Sequence, residues 1–326
     1  MVVVNLGHIF KIVFVIILLL LIYNVFDNNR IKVVEQTIAI EKLPEALNGF
    51  TVLQVTDLHE KEFGHKQKRL LKKINDIEYD VIVFTGDMLN SSTSRNYSPY
   101  YNLIEGIENK EHALFVPGNA DPRSYLFTTS GLEKNDFIDG MEERGVAFLD
   151  TTYSIRKGNS LVRVVDFESS IISNERIEAY KTTSEDGNIS PYVKLQMDKY
   201  EENKVLNEES SDLLIALNHY PIPDSRMDVI FSDDHYNIRK FDLILAGHYH
   251  GGQYRIPFYG ALFIPESFYE RNGLFPPQDR VKGLWEYKGI KQYVSTGLGS
   301  SDTIPLMKFR LFNTPELNVI TFTSKK

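Results

Sequence analysis

The chain has 326 residues, of which 42% are hydrophobic and 25% are charged, a balance that excludes a disordered tail and a protein with many membrane spans. Acidic residues outnumber basic ones by 44 to 36, which gives a formal charge of −8. We expect no nucleic-acid partner, because electrostatic binding to phosphate backbones depends on a basic excess. Cysteine is absent, which excludes disulfides, thiolate nucleophiles and cysteine-ligated metal sites.

The first feature in chain order is an apolar run at residues 12–23, IVFVIILLLLIY, which contains neither a charge nor a helix breaker. Extended to residues 9–26, the run reaches about the 18–20 residues that a helix needs to span a bilayer. The alternatives are a buried core helix and a cleaved signal peptide, but no small-residue cleavage site follows the run. We therefore predict a single-pass membrane anchor at residues 1–30 and one domain at residues 31–326.

After the anchor, the pattern predicts strands that alternate with helices. Apolar and β-rich runs predict strands near residues 51–55, 81–84, 113–116, 161–165, 213–217, 243–246, 292–295 and 317–322. A helix is predicted at residues 66–77, and this alternation is typical of an α/β layered domain, with sheet on sheet or sheet between helices. The polar segment at residues 169–211 is predicted to be a long insertion or lid.

Short motifs with metal-ligating side chains follow the predicted strands. They are TDLH at residues 56–59, TGD at 85–87, PGNAD at 117–121, NHYP at 218–221 and GHYHGGQ at 247–253. In open α/β sheets, ligands collect outside the carboxyl ends of the strands, so we expect these side chains to converge.

The converging set contains two aspartates, one asparagine and four histidines, which are Asp57, Asp87, Asn119, His59, His219, His248 and His250. Seven ligands are too many for one tetrahedral zinc but suit two metals that share a bridging carboxylate. Two ions about 3.5–4 Å apart hold the attacking and leaving oxygens of a displacement at phosphorus. Their bridging water is acidified and becomes a hydroxide nucleophile near neutral pH.

The series DLH, GD, GNAD, NHYP and GHYH resembles the motifs of the calcineurin-like metallophosphoesterase superfamily. Later segments, among them FYGALFIPESF, YVSTGLGSS and FNTPEL, resemble its membrane-associated or exported bacterial branch, the YkuE-like phosphoesterases. The resemblance covers residues 43–323 and implies a four-layer α/β/β/α sandwich. It also implies that the domain lies outside the cytoplasm.

Matching positions assign the ligands. The resemblance implies that one metal is held by Asp57, His59 and His250. It implies that the other is held by Asn119, His219 and His248, with Asp87 bridging the two. Asn119 is also expected to position a phosphate oxygen, so the catalytic candidates are Asp87, Asn119 and Asp121.

The third motif departs from the family pattern, in which a histidine follows the asparagine. Here the position is Ala120, which cannot donate a proton. General acid catalysis contributes about 10²–10⁴-fold, and its loss matters most for poor leaving groups, so we expect a preference for phosphodiesters or pyrophosphates over phosphomonoesters. Asp121, the next residue, binds a neighbouring side chain or takes over part of the acid role.

Two further residues are candidates for substrate binding. Arg123 follows the third motif and is predicted to meet a substrate phosphate, with an ordinary surface arginine as the alternative. Tyr249 lies within the fifth motif and is predicted to line the cleft, with plain packing as the alternative.

The sequence therefore predicts a membrane-anchored phosphoesterase with two divalent ions, either Mn, Fe or Zn. The expected partners are the lipid bilayer and a phosphorylated small-molecule or lipid-linked substrate. The alternative is a metal-binding protein with reduced or lost catalysis, marked by Ala120, that binds a phosphorylated ligand.

Overall fold

The computed structural model describes residues 6–129, 131–182, 189–301 and 308–325. Within them, the first of two six-stranded sheets contains, in spatial order, β1 (Lys32–Ile40), β16 (Glu316–Ser324), β2 (Thr51–Val55), β3 (Val81–Thr85), β4 (Ala113–Val116) and β7 (Ala147–Phe148). Strands β2, β3, β4 and β7 run parallel, so their carboxyl ends meet at one edge of the sheet.

The second sheet contains, in spatial order, β14 (Gly283–Tyr287), β15 (Ile290–Val294), β11 (Leu243–Ala246), β10 (Leu213–Leu217), β9 (Ser160–Asp166) and β8 (Thr152–Lys157). Its four central strands are parallel, and the outer strands β8 and β14 are antiparallel to their neighbours. Two antiparallel pairs lie outside the sheets, β5 (Tyr125–Thr128) with β6 (Gly131–Lys134) and β12 (Arg255–Ile256) with β13 (Gly260–Ala261).

The helices of the described residues are α1 (Leu6–Asn29), α2 (Lys68–Asn75), α3 (Ser98–Gly106), α4 (Asp136–Glu142), α5 (Phe167–Ser170), α6 (Asn174–Thr182), α7 (Pro191–Asn203), α8 (Val205–Glu208) and α9 (Asp224–Ser232). The side chains of α2, α3 and α4 pack on the outer face of the first sheet. Those of α5 and α9 pack on the outer face of the second sheet.

The core between the two sheets joins them face to face. Val52, Val83 and Leu114 of the first sheet and Val164 and Ile215 of the second belong to one buried apolar cluster. Strands that are covered by apolar layers on both faces have continuous apolar sequences. This explains why VIVF, ALFV and LILA do not alternate between apolar and polar residues. The predicted four-layer α/β/β/α sandwich is confirmed.

Helix α1 stands apart from these layers. It is the one helix of the described residues that is long and apolar enough to cross a membrane, as a candidate span at Gly7–Asn29. Its apolar side chains are exposed from Ile9 to Phe26. An apolar helix exposed on all faces is suited to lipid rather than to water.

The polar segment at residues 169–211 is largely helical where the structure describes it, through the end of α5, α6, α7 and α8. The segment is tied to the second sheet by hydrogen bonds of 2.8 Å from Thr151 Oγ1 to Glu202 and from Thr152 Oγ1 to Asn203. Its boundaries as an insertion stay a prediction, and residues 183–188 lie outside the described residues.

Candidate metal centre

The carboxyl ends of five strands bring the motif residues together. In the first sheet, β2, β3 and β4 lead into Asp57, Asp87 and Asn119. In the second sheet, β10 leads into His219, and β11 leads into the GHYHGGQ motif. The site therefore lies where the strand ends of the two sheets meet, which we call the seam.

One group of ligands lies on the β2 side of this seam. It contains Asp57, His59, Asp87 and His250, which are all buried and whose ligand atoms lie within 4.8 Å of one another. The Nε2 atoms of His59 and His250 are 3.2 Å apart, and His250 Nε2 lies 3.5 Å from Asp57 Oδ1. This spacing suits a single small cation.

A second group contains Asp87, His219 and His248, whose ligand atoms again lie within 4.8 Å of one another. His219 Nε2 is 3.1 Å from His248 Nδ1 and 3.2 Å from Asn119 Oδ1, so the asparagine completes this group. All seven residues that the sequence singled out as ligands are thus brought together.

Asp87 belongs to both groups. Its Oδ2 lies 3.6 Å from His59 Nε2 and 3.3 Å from His219 Nε2. Its other oxygen, Oδ1, accepts a 2.7 Å hydrogen bond from the backbone N–H of Ala120, which fixes the orientation of the carboxylate.

Backbone carbonyls set the protonated nitrogen of two histidines. His219 Nδ1 lies 2.9 Å from Thr85 O, and His248 Nε2 lies 3.3 Å from Pro265 O. A carbonyl only accepts, so these nitrogens carry the hydrogen when the rings are neutral, and His219 Nε2 and His248 Nδ1 keep lone pairs for a metal.

Burial shapes the charges of the site. It lowers the pKa of His248 to about 3 and that of His250 well below its ordinary value, so both rings are neutral. It raises the pKa of Asp57 to about 7. Burial also opposes ionisation of Asp87, but the nearby His219 brings the pKa of that carboxyl below its usual range. The neutral imidazoles of His248 and His250 beside buried carboxylates fit a divalent metal centre.

Five of the seven candidate ligands have a strained backbone. Positive φ angles occur at Asp57 (51°), His59 (47°), Asp87 (56°), His248 (66°) and His250 (49°). Such angles cost about 1–3 kcal/mol for a non-glycine residue and persist only where the surroundings enforce them. Strain of this kind concentrates at functional sites.

Glycines allow the motif loops to approach one another. A Cβ at Gly118 would lie 2.2 Å from Asp87 Oδ1, and one at Gly247 would lie 2.4 Å from Asp57 Oδ2. A side chain at either position would displace Asp87 or Asp57, so only glycine fits there.

Asp121 is buried and accepts four hydrogen bonds from backbone N–H groups. Its Oδ2 accepts from Asp87 at 2.7 Å and from Gly118 at 2.9 Å. Its Oδ1 accepts from Met88 at 2.9 Å and from Leu89 at 3.2 Å. The carboxylate thus ties the β3 loop to the β4 loop, and burial raises its pKa to about 7.

The predicted substrate residues lie outside the two ligand groups. Arg123 is exposed and lines a cavity of about 430 Å³ beside Pro117. Tyr249 is buried, its hydroxyl donates a 2.6 Å hydrogen bond to Glu266, and its ring lines a small cavity next to His250. Their contacts with substrate stay predictions.

Two residues at the site were not singled out from the sequence. Tyr220 is 42% exposed, and its ring lies 4.5 Å from that of His248, at the rim of the site. Its position directly after His219 was the available signal. Gln54 is buried in β2 and donates two hydrogen bonds of 2.9 Å. One goes to Thr85 Oγ1 in the same sheet, and the other goes to Ala246 O across the seam. Sequence alone held no signal for this cross-sheet bond.

Comparisons with known proteins agree with this geometry. The family model of the calcineurin-like phosphoesterases matches residues 50–252, which include all seven candidate ligands. YkuE of Bacillus subtilis (strain 168), described as an uncharacterized metallophosphoesterase, is 24% identical over 310 residues, 91% of this chain and 87% of YkuE. A transmembrane protein with a metallophosphoesterase domain from Danio rerio is 34% identical over 92 residues, 28% of this chain and 21% of its own length.

Among solved structures, the sulfate thiohydrolase SoxB of Thermus thermophilus aligns with a TM-score of 0.40 and 11% identity. The alignment covers 85% of this chain and 57% of the SoxB chain. The family match extends over more than half of the chain and includes the buried Asp/His cluster. The chain therefore belongs to the calcineurin-like phosphoesterase family and is a metal-dependent phosphoesterase.

Proposed function

We propose that this phosphoesterase binds two divalent ions and hydrolyses phosphodiester or pyrophosphate bonds. The observation that carries the proposal is Asp87, which belongs to both ligand groups and suits the bridging position. When bound, two such ions supply positive charge at the phosphoryl oxygens and a hydroxide nucleophile near neutral pH. Mn, Fe and Zn are all compatible with ligands of this type.

The ligand assignment follows the two groups. One ion would be held by Asp57, His59 and His250, and the other would be held by Asn119, His219 and His248. Asn119 Oδ1 faces His219 at 3.2 Å, which leaves the amide N–H groups to donate to a phosphate oxygen. We assign Asp121 as a positioning residue, because its oxygens are engaged by backbone N–H groups.

Ala120 supports the preference among bond types. Its methyl side chain is buried beside the site and offers no proton to a departing alkoxide. Phosphodiesters and pyrophosphates with good leaving groups tolerate this loss better than alkyl phosphomonoesters do. We therefore propose that monoesters are the slower substrates.

We further propose that residues 1–30 anchor the enzyme by a single pass and that residues 31–326 form the phosphoesterase domain outside the cytoplasm. The exposed apolar surface of α1 supports the anchor. The substrate is then a phosphorylated small molecule or a lipid-linked phosphate. The segment at residues 169–211 is proposed as an insertion of this domain.

The test uses the full chain in detergent, loaded with Mn²⁺, with bis-p-nitrophenyl phosphate and p-nitrophenyl phosphate as substrates. We expect turnover of the diester to exceed that of the monoester, and His250→Ala to abolish it. A protein that binds two ions per chain but turns over neither substrate would contradict the proposed function. Turnover that survives His250→Ala would contradict the proposed ligand set.

A further inference from the structure

The membrane helix is joined to the domain without a flexible linker. Asp27 and Asn28, in the last turn of α1, are buried. Asn28 Nδ2 donates to Arg310 O at 2.7 Å, and Arg310 N donates to Asn28 Oδ1 at 2.7 Å. Asp27 Oδ1 accepts from Thr314 Oγ1 at 2.7 Å. These bonds fix the direction in which α1 leaves the domain.

Aromatic side chains continue from the end of α1 onto the adjacent face of the domain. The ring of Tyr23 contacts that of Phe312 at a centroid distance of 5.8 Å. Phe312 in turn lines a surface hollow of about 340 Å³ together with Phe258 and Tyr259. The loop between β12 and β13 therefore lies beside the carboxyl-terminal part of α1.

This loop belongs to a larger apolar surface, which we call the aromatic surface. It consists of the exposed side chains Ile256, Phe258, Tyr259, Phe263, Phe268, Leu274 and Phe275. Its parts are contiguous, because the Tyr259 and Phe275 rings lie 6.1 Å apart and Phe263 pairs with Leu274 through a β-bridge. Burying one such side chain is worth about 1.5–3 kcal/mol, so a patch of this size indicates a partner.

The metal ligands open toward the same face. A cavity of about 360 Å³ is lined by His59 and by Asn24 and Val25 of α1, with Lys61 and Lys308 at its sides. A smaller, mostly apolar cavity of about 160 Å³ is lined by His250 and by Phe263 of the aromatic surface. A phosphate at the metal centre can thus be reached from the end of the membrane helix.

We propose that the aromatic surface lies in the headgroup region of the bilayer beside α1 and presents the metal centre to phosphodiesters of membrane lipids. The occupant of the surface is the lipid bilayer, because the patch is continuous with a membrane helix whose direction is fixed. Phenylalanine and tyrosine are well suited to this depth, since their rings are apolar and membrane interfaces are rich in aromatic residues. The choice of substrate rests on the proposed function, whereas the membrane contact does not.

The membrane contact is tested by fluorescence of the full chain in phosphatidylcholine vesicles that contain brominated lipids. The native chain has a single tryptophan, Trp285, which is 7% exposed and sets the background. We expect the added emission of Phe258→Trp to be quenched strongly. Phe231→Trp is the matched control, because Phe231 lies on α9 beside Lys288 at the amino end of β15, away from the metal-side edge. Equal quenching of the two variants would overturn the proposal.

The substrate is tested with two diesters that share the p-nitrophenolate leaving group, methyl p-nitrophenyl phosphate in solution and hexadecyl p-nitrophenyl phosphate in vesicles. We expect Phe258→Ser/Phe275→Ser to lose at least about tenfold in rate on the hexadecyl diester, because both interfacial aromatic contacts are lost, and little on the methyl diester. Phe231→Ser should change neither rate.

The outcomes separate the two proposals. If wild type hydrolyses neither diester, the proposed function fails, and the quenching result alone decides the membrane contact. If the methyl diester is hydrolysed but the double variant leaves the hexadecyl rate unchanged, the proposed function stands and the lipid inference is wrong.

Discussion

The two sheets contribute different chemistry to one site. The first sheet supplies the candidate oxygen ligands Asp57, Asp87 and Asn119, with His59 as its single imidazole, whereas the second supplies the candidate ligands His219, His248 and His250. Neither sheet holds a complete ligand group, since each group takes residues from both. The metal centre therefore depends on how the sheets are packed as much as on the ligands themselves.

The two halves are also held by different means. In the first sheet, the carboxylate of Asp121 accepts hydrogen bonds from backbone N–H groups of two loops. In the second, the backbone carbonyls of Thr85 and Pro265 fix the rings of His219 and His248. Because Thr85 belongs to β3, its bond to His219 also crosses the seam.

A substitution at Asp87, the residue that both groups share, is expected to have a larger effect than any change outside the candidate ligands. Asp87→Asn removes one negative charge from each group while it keeps the shape of the side chain. We expect kcat to fall by about 10³-fold, as for the loss of a preorganised electrostatic group, and fewer than two metal ions to be bound. Metal analysis and diester turnover check both effects, and an unchanged metal content with normal kcat would show that Asp87 does not bridge.

Asp121→Asn tests the support of the first sheet. The amide keeps only one acceptor oxygen, so the two backbone N–H groups that bonded to the replaced oxygen lose their acceptor. We expect this loss to lower the free energy of unfolding by about 1–3 kcal/mol. We expect kcat to fall about 10–100-fold, as for residues that orient metal ligands.

The pH profile separates positioning from acid catalysis at this residue. A positioning role predicts that Asp121→Asn lowers kcat at every pH without altering the shape of the profile. If the variant instead loses the limb on which activity falls with rising pH, Asp121 is the proton donor and the assignment as a positioning residue is wrong.

Gln54→Leu tests the seam directly. The substitution removes the hydrogen bonds to Thr85 and Ala246, and leaves a buried carbonyl without this donor. We expect a loss of about 1–3 kcal/mol in the free energy of unfolding and a decrease of about tenfold in kcat, measured per folded chain. A stable variant with full activity would show that the sheets hold their register without this bond.

The smallest effect on activity is expected at Asp166, a carboxylate at the end of β9 in the second sheet. It caps α5 by accepting a 2.8 Å hydrogen bond from Ser169 N, and burial raises its pKa to about 6. Between pH 4 and 6 the folded state keeps this proton while the unfolded state loses it, so stability falls as pH rises, by about 1–3 kcal/mol.

Asp166→Asn should remove that slope and leave diester turnover unchanged. Denaturant unfolding of both proteins at pH 4 and pH 6 measures the difference between them. The same slope in both proteins would assign the pH dependence to another group.

Much of this arrangement can be predicted from the sequence. The apolar runs before each motif predicted the strands, and the strand ends predicted that the seven candidate ligands would converge, because buried parallel strands and metal-ligating residue types both leave local signatures. The helix predicted at residues 66–77 is shorter, with α2 at Lys68–Asn75, since residues 65–67 form a separate turn with positive φ at Lys66 and Gln67.

The rest depends on contacts between distant residues. Gln54 and Ala246 meet only after the sheets pack, and Asn28 and Arg310 lie 282 residues apart. The aromatic surface reads as ordinary apolar sequence until the fold leaves it exposed beside α1. Such features arise from tertiary packing, and no periodic pattern in the sequence predicts them.

Catalysis is expected to need two ions held across the seam. The most direct test is a Mn²⁺ titration of the metal-stripped full chain, with bound metal per chain and turnover of bis-p-nitrophenyl phosphate measured at each step. We predict that turnover appears as the second ion binds and is complete at two ions per chain. Full turnover with one ion bound, or with none, would contradict a catalytic centre that bridges the two sheets.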